Sequence, residues 1–554
     1  MRGIVTMMVV VALATTGCSK SKTPEQKKGS QAAAPTSANN LWALAPDGAV
    51  NGMVLGPGAA ARVADAIRVV RSDYAVLPGA AEALARMDTL LGKGLPMSPV
   101  DPANWDRLGL SLDQPAAAFQ GKDGAVLLVL PVADRDAFVK AMGGKSDGSG
   151  AARVDHLGGS LSCKAITGGR YACASSAALI DTVGKGAALI AAEARRPAAL
   201  RGDVELLQIT PGVVGAMRFE RGGFTARAHI DVDTAMVAPF IGVVGPLSSG
   251  LKAVKPAGFV RVRVNLASLA ASAPDQPTPI GISPHAVIDA FSGEIVAYTA
   301  AGSPPHGVIQ LGLTKPDVIA PALTRLCPML PGLMPGATAA LDSGHCRGTL
   351  APPAGDLGTT TLRFLGGVPF DLSVDGKALV LALGPTNATV VDPATTAVGG
   401  ELRDGDWDLS WWGVGILPPS LMMEIARSMP PDPTITDIMW LYMHLRALGM
   451  GVRVQPHGVD VLLSASSQWA NPDDVRRALE PLYAQAVAGK EVTGELADLA
   501  AKHPDSPLAQ SVHNGVAGLV PITGAIGIVA AVAIPAFLKY QMRARAAATA
   551  TPPY

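Results

Sequence analysis

Charge is scarce in this chain. Asp, Glu, Lys and Arg make up 16% of its 554 residues, and 45 basic side chains balance 45 acidic ones. Without a basic excess there is no electrostatic footprint for nucleic acid, and without an acidic excess there is no store for cations. Aromatic residues are few, at 4%, so the core is built from small aliphatic side chains. The five cysteines form no CxxC pair. No HExxH helix, no P-loop and no GxSxG elbow is read in the sequence, and the nine histidines stand singly. The expectation is a non-catalytic protein with no metal and no cofactor. An unrecognised periplasmic hydrolase remains an alternative, because a triad can be dispersed along a sequence.

The chain is rich in apolar sequence at its ends. Val516 to Leu538 carries no charge, and Lys539, Arg543 and Arg545 follow it. A helix of that length rises about 34 Å, enough for a hydrocarbon core of about 30 Å. Basic residues favour the cytoplasmic side. The run therefore predicts a transmembrane helix with a basic tail, 539–554, inside and the body outside. At the other end, Arg2 precedes the apolar stretch Ile4 to Ala14, which is too short to span. Residues 19–40 are rich in Lys, Ser, Ala and Pro and read as a disordered tether.

Three resemblances accompany these features. Thr15-Thr16-Gly17-Cys18 resembles the lipobox of bacterial lipoproteins, with Thr15 where that family usually has Leu. It implies a signal peptide over 1–18 and a lipid on Cys18. Gly527 to Gln541 resembles the distal half of the N-terminal helix of type IV pilins, although here it is C-terminal and Gly518 stands where pilins carry their assembly glutamate. It implies a membrane helix and an accessory role in a pilus or related secretion system as an alternative function. Trp105 to Pro115, Val126 to Val132 and Asp134 to Phe138 are similar to a family of uncharacterised exported proteins. That likeness implies an exported α+β domain and no activity.

In the body, one pattern recurs: strand, tight turn, strand, helix. Phe119-Gln120, the turn Gly121 to Gly124, the strand Ala125 to Val132 and a helix Asp134 to Met142 form the clearest copy, with Asp134 as cap and Gly143 as stop. Glu294 to Ala300, Val308 to Leu313 and the helix after Thr314 form a second, with Thr314 as the candidate cap. Met217 to Ile230 with a helix through Phe240, and Val452 to Ser464 with a helix Pro472 to Ala484, are further copies. Asp375-Gly376 predicts a hairpin turn. In Val260 to Leu266 the valines are expected to face a core and Arg261 and Arg263 to face water. The expected fold is α+β: repeated β-β-α units forming two antiparallel sheets, each with helices on one face, plus the C-terminal transmembrane helix. The domains are read as 41–250 and 251–490, with a helical connector over 491–515.

Cys163, Cys173, Cys327 and Cys346 allow three pairings. The Thr167-Gly168-Gly169 loop sets Cys163 opposite Cys173, which leaves Cys327 for Cys346. Gly56-Pro57-Gly58 formally fits a dinucleotide fingerprint but reads as a strand-to-helix turn. Asp404, Asp406 and Asp408 begin like a calcium loop, but Leu409 and Gly415 occupy the positions that need Gly and Glu. Met422, Met423, Met439, Trp440 and Met443 form the candidate apolar groove, since methionine-rich surfaces adapt to varied partners. The leading expectation is a membrane-anchored envelope lipoprotein that binds or scaffolds an envelope or pilus-assembly protein. Its partners are then the membrane, through lipid and helix, and a protein, with no nucleic acid. Its body is periplasmic, with the inner membrane favoured by the run 516–538.

Overall fold

The computed structural model describes residues 41–74, most of 108–231 and of 258–350, 368–384, 397–414, 447–466 and parts of 477–504. Cys18, the tether, residues 415–446 and the run 516–538 lie outside the described residues. The chain divides into two compact units, one of residues up to Val232 with His457–Gln468, the other of Asp233–Pro456 and the remainder.

Ten strands lie in chain order before residue 232: β1 (Ala49–Leu55), β2 (Ala116–Gly121), β3 (Val126–Leu130), β4 (Lys145–Asp147), β5 (Val154–Leu157), β6 (Leu161–Ile166), β7 (Arg170–Ala174), β8 (Val204–Gln208), β9 (Val213–Glu220) and β10 (Gly223–Ile230). Ten more follow: β11 (Gly258–Arg263), β12 (Phe291–Ala300), β13 (His306–Leu313), β14 (Thr338–Asp342), β15 (His345–Thr349), β16 (Pro369–Asp375), β17 (Ala378–Leu383), β18 (Leu409–Val414), β19 (Ala447–Gln455) and β20 (Gly458–Ser466). The longer helices are α1 (Ala59–Tyr74), α2 (Arg135–Ala141), α3 (Ala187–Ala194), α4 (Pro284–Asp289), α5 (Pro316–Leu326), α6 (Ala397–Asp404) and α7 (Thr493–Lys502).

The two sets share one connectivity. Antiparallel ladders give the order β4-β5-β6-β7-β3-β2-β1-β8-β9 in the first set. In the second they give β14-β15-β16-β17-β13-β12-β11-β18-β19. Every ladder of one set has its counterpart ten strands later. The helices keep the same places: α1 and α4 follow the first strand of each set, α2 and α5 the third, α3 and α6 the seventh. Such agreement in a non-trivial order is the signature of an internal duplication. The copies also share local chemistry. The first turns of α2 and α5 carry Asp136 and Asp317, and Phe138 and Ile319 are their buried anchors.

The expected α+β fold is corrected in several respects. All twenty strands belong to one antiparallel sheet rather than two. In the first unit, β10 does not end the sheet but pairs with β20, Gly223 opposite Ser466 through Ile230 opposite Val459. Helices also cover both faces, not one. Val126–Leu130 is apolar throughout because alternate residues enter different cores. Leu127 and Val129 pack with Trp42, Phe119 and Leu189 of α3. Leu128 and Leu130 pack with Phe138 of α2 and Tyr171. In the second unit Val260 and Val262 pack with Leu323 of α5, while the arginines between them meet the C-terminus of α6. Arg261 and Arg263 are thus buried, not solvated. As to the predicted transmembrane helix, no helix among the described residues is long and apolar enough to cross a membrane.

Local signals explain the elements. Asp134 Oδ1 accepts from the Ala137 amide at 3.0 Å, capping α2, and Gly143 takes the left-handed φ of 62° just past the helix end. Thr314 does not cap α5. Its hydroxyl donates to the Asp289 carbonyl at 2.9 Å, and Pro316 opens the helix where a missing N–H costs little.

Candidate functional site

Both disulfides are local. Cys163 and Cys173 are directly opposed in the β6–β7 ladder and are joined. Cys327, in the turn after α5, is joined to Cys346 of β15, with Cα atoms 5.6 Å apart. All four sulfurs are buried. Their oxidation removes them as nucleophiles and metal ligands.

Beneath α3 lies a charged box. Arg196 is fully buried, its Nε 2.7 Å from Glu193 Oε2 and its Nη1 2.8 Å from Glu205 Oε2. The guanidinium lies 4.7 Å from the centre of the Trp42 ring, and Trp42 Nε1 donates to Glu205 at 3.0 Å. Burial pushes Glu193 up and Arg196 down, and the attraction between them opposes both shifts. The box ties the end of α3 to β8 and to the chain entering β1.

The second unit has its own buried cation at the equivalent helix. Arg261 donates to the carbonyls of Leu402, Arg403 and Gly405, at 3.2, 3.1 and 2.6 Å. These acceptors lie at the C-terminus of α6, where helix carbonyls lack intrahelical donors and a cation is favoured. Burial lowers the pKa of Arg261, with Glu294 pulling it back up. Arg263 pairs with Asp406, and Asp408 Oδ2 accepts from the Val454 amide at 2.8 Å. The acidic triplet is therefore engaged by arginine and backbone at the entry to β18, where a calcium loop would need free oxygens. In the first unit Asp155 holds Arg135 and the Tyr171 hydroxyl in the same manner.

Two further clusters stand nearer the surface. His229 of β10 lies between Asp460 of β20, at 2.7 Å, and Asp231, at 3.2 Å. His345 and Arg347 of β15 both reach Asp371 of β16, at 2.8 Å each. Burial pushes Asp371 up, but Arg347 and His345 together hold it below the usual carboxylate range. Each cluster joins side chains of two neighbouring strands, and cross-strand pairs of this kind favour the observed register. Among the described residues, no three His, Cys, Asp or Glu side chains are grouped to hold a metal ion.

The remaining motifs resolve in structural terms. Gly56 to Gly58 links β1 to α1, and its amides are occupied: Gly56 donates to Asp203 O at 2.8 Å and Gly58 to Asp113 O at 3.0 Å. No amide nest is left for a pyrophosphate. Contrary to the expectation of no GxSxG, Gly144-Lys145-Ser146-Asp147-Gly148 spells that string, but Ser146 is in β4 and not on a strand-to-helix turn. Met422, Met423, Met439, Trp440 and Met443 lie outside the described residues. Trp412, in β18 just before them, is core: its ring centre is 6.5 Å from that of Phe259, against Gly399 and Gly449. The buried charge boxes are what sequence reasoning missed. Arg196 and Arg261 look like surface residues until a helix end is placed over them. No protein-family model, curated protein or solved structure matches the chain.

Proposed function

We propose that this chain is a non-catalytic lipoprotein of the bacterial cell envelope, anchored through a lipid on Cys18, whose duplicated sheet acts as a binding or scaffold surface in the periplasm. The observation that carries the reading is the pair of buried disulfides in the body. Disulfides form and persist in oxidising compartments such as the periplasm. The lipobox-like Thr15 to Cys18 and the polar tether after it supply the anchor. The ionic clusters bind parts of the fold to one another, which suits a rigid scaffold. A single acyl chain holds a membrane weakly, so the full lipid modification, or a second attachment, is required.

Metabolic labelling with palmitate tests this. The wild type takes up label and fractionates with membranes, and Cys18→Ala takes up none. Absence of label on the wild type would refute the anchor. A second reading, an accessory of a type IV pilus or related machine, rests on the pilin-like Gly527 to Gln541. Co-purification of pilus-assembly proteins, lost on deletion of 516–554, would favour it.

A further inference from the structure

The duplication allows equivalent positions to be compared, and β8 and β18, the eighth strands of their sets, differ at one of them. Each strand is entered through an aspartate that does the same two things. The Asp203 amide donates to Met217 O at 2.8 Å, and its Oδ2 accepts from the Phe219 amide at 2.7 Å. The Asp408 amide donates to Val452 O at 3.0 Å, and its Oδ2 accepts from the Val454 amide at 2.8 Å. The residues two places on are therefore counterparts: Glu205, opposite Val54, and Ser410, opposite Arg261. In the first copy the Glu205 carboxylate is the acceptor for two buried donors, Arg196 and Trp42. In the second the buried cation stands on the sheet itself, and the strand beside it offers a hydroxyl instead of a carboxylate.

Ser410 is 0% exposed and Arg261 2%. Nη1 and Nη2 of Arg261 are spent on the carbonyls at the end of α6. Among the described residues, neither Arg261 Nε nor Ser410 Oγ has a hydrogen-bond partner. The far side of Ser410 supplies none: its neighbour on β19 is Gly451, where a Cβ would stand 2.8 Å from Leu402 and from the Trp407 ring, so apolar atoms close that flank. Buried polar atoms without a partner are costly. Opposed strand residues carry Cβ atoms about 4.5–5.5 Å apart, so one small polar molecule can serve both groups. We propose that an ordered water is bound between Arg261 Nε and Ser410 Oγ as part of the anchor of α6. Its oxygen accepts from the Nε–H, in the role that the Glu205 carboxylate plays in the first copy. The Ser410 hydroxyl either donates to it or accepts from it. Buried waters need about two to four such partners. Glu294 is the charge that most offsets the burial of Arg261. The site therefore calls for an acceptor and not for a further negative charge, which selects water over a small anion.

Ser410→Ala tests this by the sign of its effect on the full chain in mild detergent. With water bound, the hydroxyl has a partner, and its loss lowers the melting temperature by about 2–4 °C. With nothing bound, the substitution removes an unmet buried hydroxyl and raises the melting temperature. A raised or unchanged melting temperature would overturn the proposal. A crystal structure at a resolution that shows ordered waters is the second test. It should contain one peak within about 2.7–3.2 Å of both Arg261 Nε and Ser410 Oγ. No peak there would overturn the proposal. So would an anomalous bromide signal at that place in crystals grown in bromide, which would assign the site to an anion.

Discussion

Arg261→Met should destabilise the second unit severely while leaving its packing volume nearly intact. The methionine keeps the stem among the side chains and removes only the guanidinium. Arg261 is 2% exposed, and its head group satisfies three carbonyls at the end of α6. Replacing a buried ion pair by apolar residues can be neutral, because both charges leave together. Here the acceptors are backbone carbonyls of residues 402, 403 and 405, which no side-chain substitution can remove. They stay in place without their donor, and an unmet buried polar group costs about 1–3 kcal/mol. The three are not additive, since part of the helix end can relax. A net loss of about 3–5 kcal/mol follows, comparable to breaking a buried charged pair. At roughly 2 °C per kcal/mol for a unit of this size, the melting temperature falls by about 6–10 °C. Arg261→Lys should lie between, because one ammonium cannot reach all three acceptors in the fork geometry of a guanidinium. Thermal unfolding followed by tryptophan fluorescence reads this directly, as Trp407 and Trp412 pack beside the site. If Arg261→Met melts within about 2 °C of the wild type, below one kcal/mol, the carbonyl clamp is not an anchor and the reasoning fails.

Gly52→Ala would set a Cβ 2.4 Å from Trp42 Cζ3 and 3.0 Å from both Leu189 and Phe119. Overpacking of that kind costs about 1–3 kcal/mol, to be seen as a lower urea midpoint with an unchanged slope. Asp371 predicts an acid dependence. Its folded pKa is lowered, so its contribution is fully present above the unfolded value of about 3.9 and is lost as pH falls through the folded value. Removing its partners with His345→Ala and Arg347→Ala should flatten the loss of stability as pH falls below about 4 in urea titrations. An unchanged acid limb would count against the pairing.

What was legible in the sequence was local. The cap at Asp134, the turn at Asp375-Gly376 and the opposition of Cys163 and Cys173 follow from signals a few residues long. Face assignment was not legible. Val260 to Arg263 alternates apolar and charged residues, which is the pattern of a strand with one wet side. The same pattern serves a strand whose arginines plug a helix end, and only the position of α6 distinguishes the two. Edge pairing was hidden for a related reason. β10 and β20 are ordinary half-buried strands in sequence, 231 residues apart at His229 and Asp460. Nothing local says that they pair, so the copies read as separate sheets. The cap at Thr314 was misread because a threonine before a proline-initiated helix has a second use: its hydroxyl reaches back to the end of α4.

The account stands on an exported body with two disulfides and a lipid-blocked Cys18. Counting its thiols in acid-trapped cells with a mass-shifting maleimide tests all of this at once. The account predicts no adduct before reduction and four after it, at Cys163, Cys173, Cys327 and Cys346, because the lipid thioether at Cys18 does not react. Four adducts without reduction would place the body in a reducing compartment. A fifth after reduction would show Cys18 unmodified, and either result would contradict the envelope lipoprotein reading.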